Sequence, residues 1–372
     1  MFPSTRISLR IFFSLAASAC LFAQAKPEPD VLIFTNGEKL IGHLKSATGA
    51  KVVFKSDMAG EVTVEWSKIK ELHSAGKFAA IPKDVTFKNR ADAAKVARGS
   101  VAMTDQKLEV TNPPAAPQTL PVAGLSNVVD EPSFDQALKG QSFFQGWKGA
   151  SSLGVAITSS TQDVQTLNTG INLVRSAPAE SWLRVRTKTT VDFTASYSKI
   201  TQPGTPSIKT AFYHADAEED FYATPRLFLL GGAVFDHNYS QGLDLQQTYD
   251  GGLGVVAHKS AHSEWDIRGD VGFTDQQFAT SSLNRKLVGS RFGQTYTVTF
   301  GHGIAFSEDA GARLAWNYEK AFSANMNTSL SMPVFKNLGV NVTSFDSFMN
   351  NPPPGFKRNT FQLAFGIRYA FK

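Results

Sequence analysis

The sequence predicts an all-β protein in which a C-terminal transmembrane antiparallel β-barrel of about 12 strands follows one or two small SH3-like periplasmic β modules. Three observations predict this class: an N-terminal export signal, the lack of a later apolar stretch of about 18 residues, and long segments of alternating polarity. We divide the chain into a signal peptide (1–25), a β module (30–74), a second β module (78–130), a linker with a short helix (131–143) and an outer-membrane β-barrel (144–372).

The N-terminal segment has the features of a secretory signal. Two arginines precede a largely apolar run from Ile11 to Phe22, and Ala23-Gln24-Ala25 supplies the small residues of a cleavage site. The run is shorter than the roughly 20 residues that a membrane-spanning helix needs. Cleavage would remove Cys20, the only cysteine, and a lipoprotein cut before Cys20 is the alternative. The formal net charge of +5 counts both arginines, so nucleic-acid binding gains little support.

Short strands with turn signals between them fill the region after the signal. Apolar and polar residues alternate between Asp30 and His73, and turns such as Asn36-Gly37 predict a small five-stranded barrel. The region from Val85 to Val129 repeats the pattern: Gly99-Ser100-Val101 corresponds to Gly42-His43-Leu44 at an offset of 57 residues (99 minus 42). We therefore expect a diverged repeat. Both modules would lie in the periplasm, where their partner is unknown.

Longer alternating segments occupy the rest of the chain. The last one separates completely into an apolar face and a second face of small or polar residues, the apolar face being Phe361, Leu363, Phe365, Ile367, Tyr369 and Phe371. Twelve such segments permit closure as antiparallel hairpins, with compact turns at one end, such as Ser307 to Gly311, and longer loops, such as Ala279 to Gly293, at the other. Short periplasmic turns and longer external loops are typical of outer-membrane barrels.

Alternation alone does not fix which face is outside, because a soluble barrel would turn the apolar face inward. The export signal, the strand lengths and aromatic residues near strand ends favour a membrane barrel. The charged face would then line the lumen, where mixed charges form either a selective water-filled pore or a salt-bridged plug. The predicted lumen-facing residues are Arg184, Arg186, Lys188, Asp192, Asp216, Glu218, Asp220, Asp266, Arg268, Asp270 and Arg313.

Several short motifs carry a family resemblance. Asn36-Gly37-Glu38-Lys39-Leu40-Ile41-Gly42, Ala59 to Trp66, Leu153-Gly154 before Leu167 to Gly170, and Phe235-Asp236 before Gly242 to Leu245 occur in an order that resembles the salt-induced outer-membrane protein family. The resemblance implies an outer-membrane location, a barrel and an osmotic or salt-stress role, without an established activity. The terminal segment also looks like the signal that barrel-assembly machinery recognises, through Gly366, Tyr369 and Phe371, although Lys372 follows the final aromatic residue.

No constellation of an enzyme is evident, so we predict a non-enzymatic pore or structural component of the envelope, with no cofactor, catalytic residue or metal ligand. His214, beside Asp216, Glu218 and Asp220, is the best candidate general base, but no serine partner accompanies it. An outer-membrane lipid-modifying enzyme and a soluble periplasmic binding protein are the alternative functions. The expected partners are outer-membrane lipid and the barrel-assembly machinery.

Overall fold

A computed structural model describes residues 29–85, 87, 90–140, 142–159, 163–180, 182–202, 204–319 and 321–371. The predicted signal peptide, with Cys20, and Lys372 lie outside these described residues. Two compact units are present, a front unit of residues 29–83 and 96–131 and a rear unit of residues 84–95 and 132–371. The predicted all-β fold with a C-terminal antiparallel barrel of about 12 strands is confirmed.

The front unit is a nine-stranded antiparallel sheet of order β4-β3-β2-β1-β5-β6-β7-β8, and β9 pairs with both β2 and β5. Short 3₁₀ helices at Trp66–Lys68 and Val122–Gly124 precede β5 and β9. The strands are β1 (Asp30–Phe34), β2 (Lys39–Thr48), β3 (Lys51–Ser56), β4 (Gly60–Glu65), β5 (Ile69–Pro82), β6 (Ala97–Thr104), β7 (Lys107–Thr111), β8 (Gln118–Pro121) and β9 (Leu125–Asp130).

One hydrophobic core serves the whole front unit. Leu32 and Phe54 of the first half and Met103 and Leu108 of the second half are fully buried in the same cluster. The boundary predicted between two modules, at residues 74–78, falls inside β5, which pairs with β1 before this point and with β9 after it. The two predicted modules are thus one unit, because their apolar faces are buried against each other.

The predicted repeat corresponds to equivalent contacts in the two halves. The backbone N–H of Trp66 donates to the carbonyl of Ala50 (3.3 Å), and that of Val122 donates to Gln106 (3.0 Å), 56 residues further along in both cases (122 minus 66, 106 minus 50). Gly42 and Gly99 also correspond. A Cβ atom would lie 2.0 Å from the Lys55 oxygen at the first position and 2.1 Å from the Thr111 oxygen at the second.

The rear unit contains a closed barrel of twelve antiparallel strands in sequential order. A single α-helix among the described residues, α1 (Glu131–Lys139), precedes it in the predicted linker. The strands are β10 (Trp147–Ser159), β11 (Asp163–Ala177), β12 (Thr187–Thr201), β13 (Ile208–Tyr222), β14 (Leu227–Asn238), β15 (Leu243–Lys259), β16 (Ser263–Phe278), β17 (Arg285–Thr299), β18 (Ala305–Ala315), β19 (Phe322–Phe335), β20 (Leu338–Met349) and β21 (Asn359–Phe371).

Short 3₁₀ helices complete the rear unit at Arg90–Lys95, Tyr239–Gln241, Ser281–Leu283 and Gly301–Gly303. We call the end of the barrel where β10 begins and β21 ends the near end, and the opposite end the far end. β10 and β21 close the barrel at the near end, in a register from Gly149↔Phe371 to Leu153↔Ile367.

Two connections predicted from the sequence are strands in the structure. Most of the predicted loop from Ala279 to Gly293 belongs to β17, and the predicted turn from Ser307 to Gly311 belongs to β18. Gly289 is a position of close backbone approach, since a Cβ atom there would lie 2.2 Å from the Leu314 oxygen.

The two equivalent glycines of the front unit provide a test of the repeat. We expect Gly42→Ala to lower the free energy of unfolding of the front unit by about 2 kcal/mol, because the added methyl group would overlap a backbone oxygen that cannot move without breaking the pairing of β2 and β3. Gly99→Ala should act similarly. Hydrogen exchange of the β2, β3, β6 and β7 amides in the full chain measures the effect. Exposed His43 supplies the control His43→Ala, and equal protection in all three variants would contradict the expectation.

Candidate pore lumen

The barrel wall has an apolar outer face and a polar inner face. On β21, Leu363, Phe365 and Ile367 are exposed by 54%, 67% and 63%, while the alternating residues Gln362 and Ala364 are half-buried. Each strand of the barrel contributes at least one exposed large apolar side chain, as seen at Leu153, Leu167, Tyr197, Phe221, Leu229, Leu253, Val271, Phe292, Leu314, Leu330, Val340 and Phe365. The apolar surface therefore continues around the whole circumference.

Lys188 of β12 forms ion pairs across the lumen with β16, which is not a neighbouring strand. Its ammonium group lies 3.2 Å from the Glu264 carboxylate and 3.1 Å from the Asp266 carboxylate. The three side chains are mostly shielded from solvent. Because β12 and β16 are separated by three strands in the wall, this contact is possible only through the interior of the barrel.

Arg268 of β16 occupies the centre of the charge network. Its two terminal nitrogens donate to Glu218 of β13 (3.0 Å) and to Asp309 of β18 (2.5 Å). Asp309 also accepts from the hydroxyl of Thr295 (2.8 Å), and the Arg291 guanidinium lies 3.9 Å from it. The fork of the guanidinium therefore joins two carboxylates from strands on either side of β16.

A second arginine extends the network along the same wall. Arg313 of β18 donates to the Asp250 carboxylate of β15 (3.0 Å) and to the Thr274 hydroxyl of β16 (2.9 Å). Thr274 is in turn hydrogen-bonded to Thr248 at 3.1 Å. Together with the Lys188 and Arg268 contacts, these bonds join β12, β13, β15, β16, β17 and β18 to one another from the inside.

His214 is part of a hydrogen-bonded row on the same wall. Its Nδ1 lies 2.7 Å from Asp236 of β14, whose other oxygen accepts from the Gln246 amide (2.8 Å). Gln276 donates to Gln246 at 2.7 Å. The ring thus pairs with Asp236 rather than with the acidic face of its own strand, and no serine hydroxyl among the described residues is hydrogen-bonded to it.

Carboxylates outnumber basic groups in the lumen. Asp192 and Asp216 stand directly opposite each other on β12 and β13, and neither has an ion-pair partner within the described residues. Asn172 donates to Asp192 at 2.7 Å. The acidic groups are Asp192, Asp216, Glu218, Asp220, Asp236, Asp250, Glu264, Asp266, Asp270 and Asp309, and the basic groups of the network are Lys188, His214, Arg268, Arg291 and Arg313. Three further basic residues at inner-face positions, Lys148, Arg285 and Arg368, do not change the sign of this excess.

Small polar residues line the wall opposite the network. Asn172 is solvent-exposed although it faces inward, and further inward-facing residues are partly exposed, namely Ser152, Asn168, Gly170, Asn325, Asn327, Ser329, Thr343, Ala364 and Gly366. Inward exposure of this kind indicates a solvent-accessible passage. The bulky charged groups occupy the other wall, so the inner surface that solvent reaches lies on the side of the small residues.

Apolar clusters border the network towards the two ends. Phe228, Leu230 and Val256 pack together towards the near end, and Leu243, Phe278 and Met349 do so towards the far end. The ring of Phe228 rests on Gly254, where a Cβ atom would lie 2.1 Å from the ring. These clusters place apolar side chains beside the charged wall towards both ends of the barrel.

Nine of the eleven predicted lumen residues occupy inward-facing positions of their strands, but two lie elsewhere. β12 begins at Thr187, so Arg184 and Arg186 belong to the connection between β11 and β12. Arg184 donates to the backbone oxygen of Ala223 in the next near-end turn (2.5 Å). The alternation that we continued backwards from the strand does not extend into this connection, because its backbone is no longer extended and paired.

The structure adds five network residues that sequence reasoning missed, Asp236, Asp250, Glu264, Arg291 and Asp309. Arg291 and Asp309 were hidden by the two segments predicted as connections. The others could have been found by extending the inward-facing parity along their strands. The residues of the predicted assembly signal lie on β21: Gly366 faces inward, while Tyr369 and Phe371 face outward with ring centroids 5.5 Å apart.

No helix among the described residues is long and apolar enough to cross a bilayer. Nor do three or more His, Cys, Asp or Glu side chains come together there in an arrangement suited to a metal ion.

Arg268 offers a test of the network. We expect Arg268→Met to lower the free energy of unfolding by about 3 kcal/mol, because it leaves Glu218 without an ion-pair partner and Asp309 with only the longer contact to Arg291. Urea unfolding of the refolded protein measures the loss. Adding Glu218→Gln and Asp309→Asn should recover part of it. Arg226→Met, at an exposed near-end turn, is the control, and equal stability of the two arginine variants would refute a structural role for the network.

Comparison with known proteins gives weak structural likenesses and one family. An outer membrane channel from Pseudomonas putida F1 is 13% identical, with 60% of this chain and 95% of that chain covered and a TM-score of 0.36. The NanC porin is 11% identical (60% and 99% covered, TM-score 0.34), and the β domain of the Bordetella autotransporter BrkA is 12% identical (61% and 98% covered, TM-score 0.31). At these scores the barrel rests on the strand pairing of this chain alone.

No curated protein matches the sequence. The model of the family described as "Protein of unknown function, DUF481" matches residues 151–371, from the middle of β10 to the end of β21. The match covers more than half of the chain and includes nearly the whole barrel. The chain therefore belongs to this family, whose shared part is the barrel.

Proposed function

We propose that the protein is an integral outer-membrane β-barrel, with the front unit in the periplasm and a narrow lumen that conducts small cations. The observation that carries the membrane location is the unbroken band of exposed apolar side chains around the barrel. Soluble monomers rarely expose apolar patches beyond a few hundred Å². In lipid this band is favourable, and closure leaves no strand edge in the hydrocarbon.

The arrangement of charges supports the same location. A soluble periplasmic binding protein would place apolar side chains inside the barrel and charges outside. Here the ion pairs of Lys188 and Arg268 are inside and the large apolar side chains of β21 are outside. This inversion is the expected pattern of an outer-membrane barrel, whose outer face is apolar and whose interior is polar.

Phe365, at the midpoint of β21, tests contact with lipid. We expect Phe365→Arg to lower the stability of the refolded barrel by about 2–4 kcal/mol, which is the cost of a basic residue at the centre of a bilayer. Ala364→Arg, on the same strand but facing the lumen, is the matched control and should cost less. The measurement is urea unfolding in lipid vesicles, read from the mobility shift on gels between unheated and boiled samples. If Phe365→Arg were tolerated and the chain stayed monodisperse without detergent, the membrane location would be wrong.

The acidic excess of the lumen supports preference for cations. Rings of carboxylates favour cations in pores because they attract the permeating charge and repel anions. Asp192 is hydrogen-bonded to solvent-exposed Asn172, and Asp216 stands opposite it; neither has an ion-pair partner among the described residues. Their charge would therefore act on a solute in the lumen. The passage is narrow, which favours inorganic ions and small polar solutes over larger substrates.

Conductance across planar bilayers tests the pore. We expect a small conductance with a reversal potential in a KCl gradient that indicates cation preference. Asp192→Asn with Asp216→Asn should lower the permeability ratio of K⁺ to Cl⁻ towards unity, because two lumen charges are removed. Glu219→Gln with Asp244→Asn removes the same charge from the outer face and should leave the ratio unchanged.

The outcomes separate the remaining functions. A correctly inserted protein with no conductance would leave a salt-bridged structural barrel in place of a pore. Hydrolysis of lipid by the refolded protein would favour the alternative of a lipid-modifying enzyme, for which the row around His214 offers a base but no nucleophile among its described contacts. We propose a non-enzymatic role on this ground.

Further parts of the proposal rest on sequence patterns. The outward aromatic pair Tyr369 and Phe371 at the end of β21 suits recognition by barrel-assembly machinery. A periplasmic partner for the front unit and an osmotic or salt-stress role remain proposals, the latter implied by the family resemblance alone. Growth and envelope integrity of a deletion strain across salt concentrations would test the stress role.

A further inference from the structure

Two lysines stand directly opposite each other on the outer face near the far end. Lys199 of β12 is the register partner of Lys209 of β13, and Gln165 of β11 is the partner of Lys199 on its other side. Both lysines face outward, because residues an even number of positions apart on a strand share a face. Lys199 is two positions from exposed Tyr197, and Lys209 is four positions from exposed Tyr213. The result is a row of two ammonium groups and one amide across three adjacent strands.

The pair lacks an anionic partner within the described part of the chain. Neither ammonium group has a carboxylate within 4.0 Å. Like charges directly opposite each other destabilise a strand pair, so an external anion would relieve the repulsion.

The height of the row in the wall suits a lipid headgroup. Tyr197 and Tyr213 lie on the same two strands on the side towards the barrel centre, and tyrosines are enriched at the boundary between hydrocarbon and headgroups. The lysines lie beyond this boundary, where a long basic side chain keeps its charge among the headgroups. This is the leaflet that surrounds the far end of the barrel.

We propose that Lys199, Lys209 and Gln165 bind the phosphomonoester headgroup of a lipid in the far-end leaflet. A phosphomonoester carries about −1.5 to −2 charges at neutral pH, which matches two ammonium groups, and its oxygens can also accept from the Gln165 amide. A phosphodiester carries a single charge and would leave one lysine uncompensated. The inference rests on the membrane insertion proposed above but not on conductance.

Binding to defined lipids tests this site. The full-length refolded protein is added to phosphatidylcholine vesicles that contain phosphatidic acid, a phosphomonoester, or phosphatidylglycerol, an anionic phosphodiester. Affinity for each lipid is measured by native mass spectrometry after extraction and by the temperature at which heat-modifiable mobility is lost. We expect preference for phosphatidic acid, and Lys199→Ala with Lys209→Ala should weaken it about tenfold.

Matched variants make the result specific to this row. Lys286→Ala with Lys336→Ala removes the same charge from exposed positions elsewhere on the barrel and should keep the wild-type preference. Lys199→Arg with Lys209→Arg should largely preserve binding. Unchanged binding of phosphatidic acid by the double alanine variant, or equal binding of phosphatidylglycerol by the wild type, would overturn the proposal.

Failure of this site can be distinguished from failure of the proposed function. Insertion into pure phosphatidylcholine vesicles reports the membrane location independently of the lysines. Loss of lipid preference with normal insertion and conductance overturns the lipid site alone. A chain that enters no vesicle overturns both.

Discussion

The closure of β10 against β21 is the constraint on which the rest of the barrel depends. Hydrogen bonding from Gly149↔Phe371 to Leu153↔Ile367 joins the first strand to the last, so each of the twelve strands is paired on both sides. An unpaired backbone group in hydrocarbon would cost several kcal/mol. Closure therefore lets every strand place one face outward against an apolar medium. The other face then lies in the interior, where its polar side chains must form hydrogen bonds and ion pairs with one another.

The inward-facing polar groups are paired mainly on one side of the barrel. Arg268 joins Glu218 and Asp309, and Lys188 reaches Asp266, so the wall from β12 to β18 is filled by charged groups that hold non-neighbouring strands together. Small residues on the opposite wall leave space accessible to solvent. The barrel therefore has one wall filled with charged groups and an opposite wall of small residues that solvent can reach. The same acidic excess that leaves Asp192 and Asp216 without ion pairs gives that passage its proposed preference for cations.

The front unit buries its apolar faces in a different way from the barrel. Its two halves are too short to bury their apolar faces separately, and they share β5, which pairs with β1, β6 and β9. The equivalent glycines at 42 and 99 mark where each half brings two backbones into close contact. This unit has its own core, in which most of its large apolar side chains are buried.

The sequence by itself determined the strand class, the strand number and most of the inward-facing charges, since polarity with a period of two is a local property; Asp266, Arg268 and Asp270 on β16 illustrate this. It could not determine which charges pair, because Lys188 and Asp266 are 78 residues apart and meet only through the closed interior. The glycine-rich beginning of β17 and the start of β18 also needed tertiary pairing to become strands. The register of the strands determines which charges meet and which segments are paired as strands. This register is set by neighbouring strands rather than by local composition.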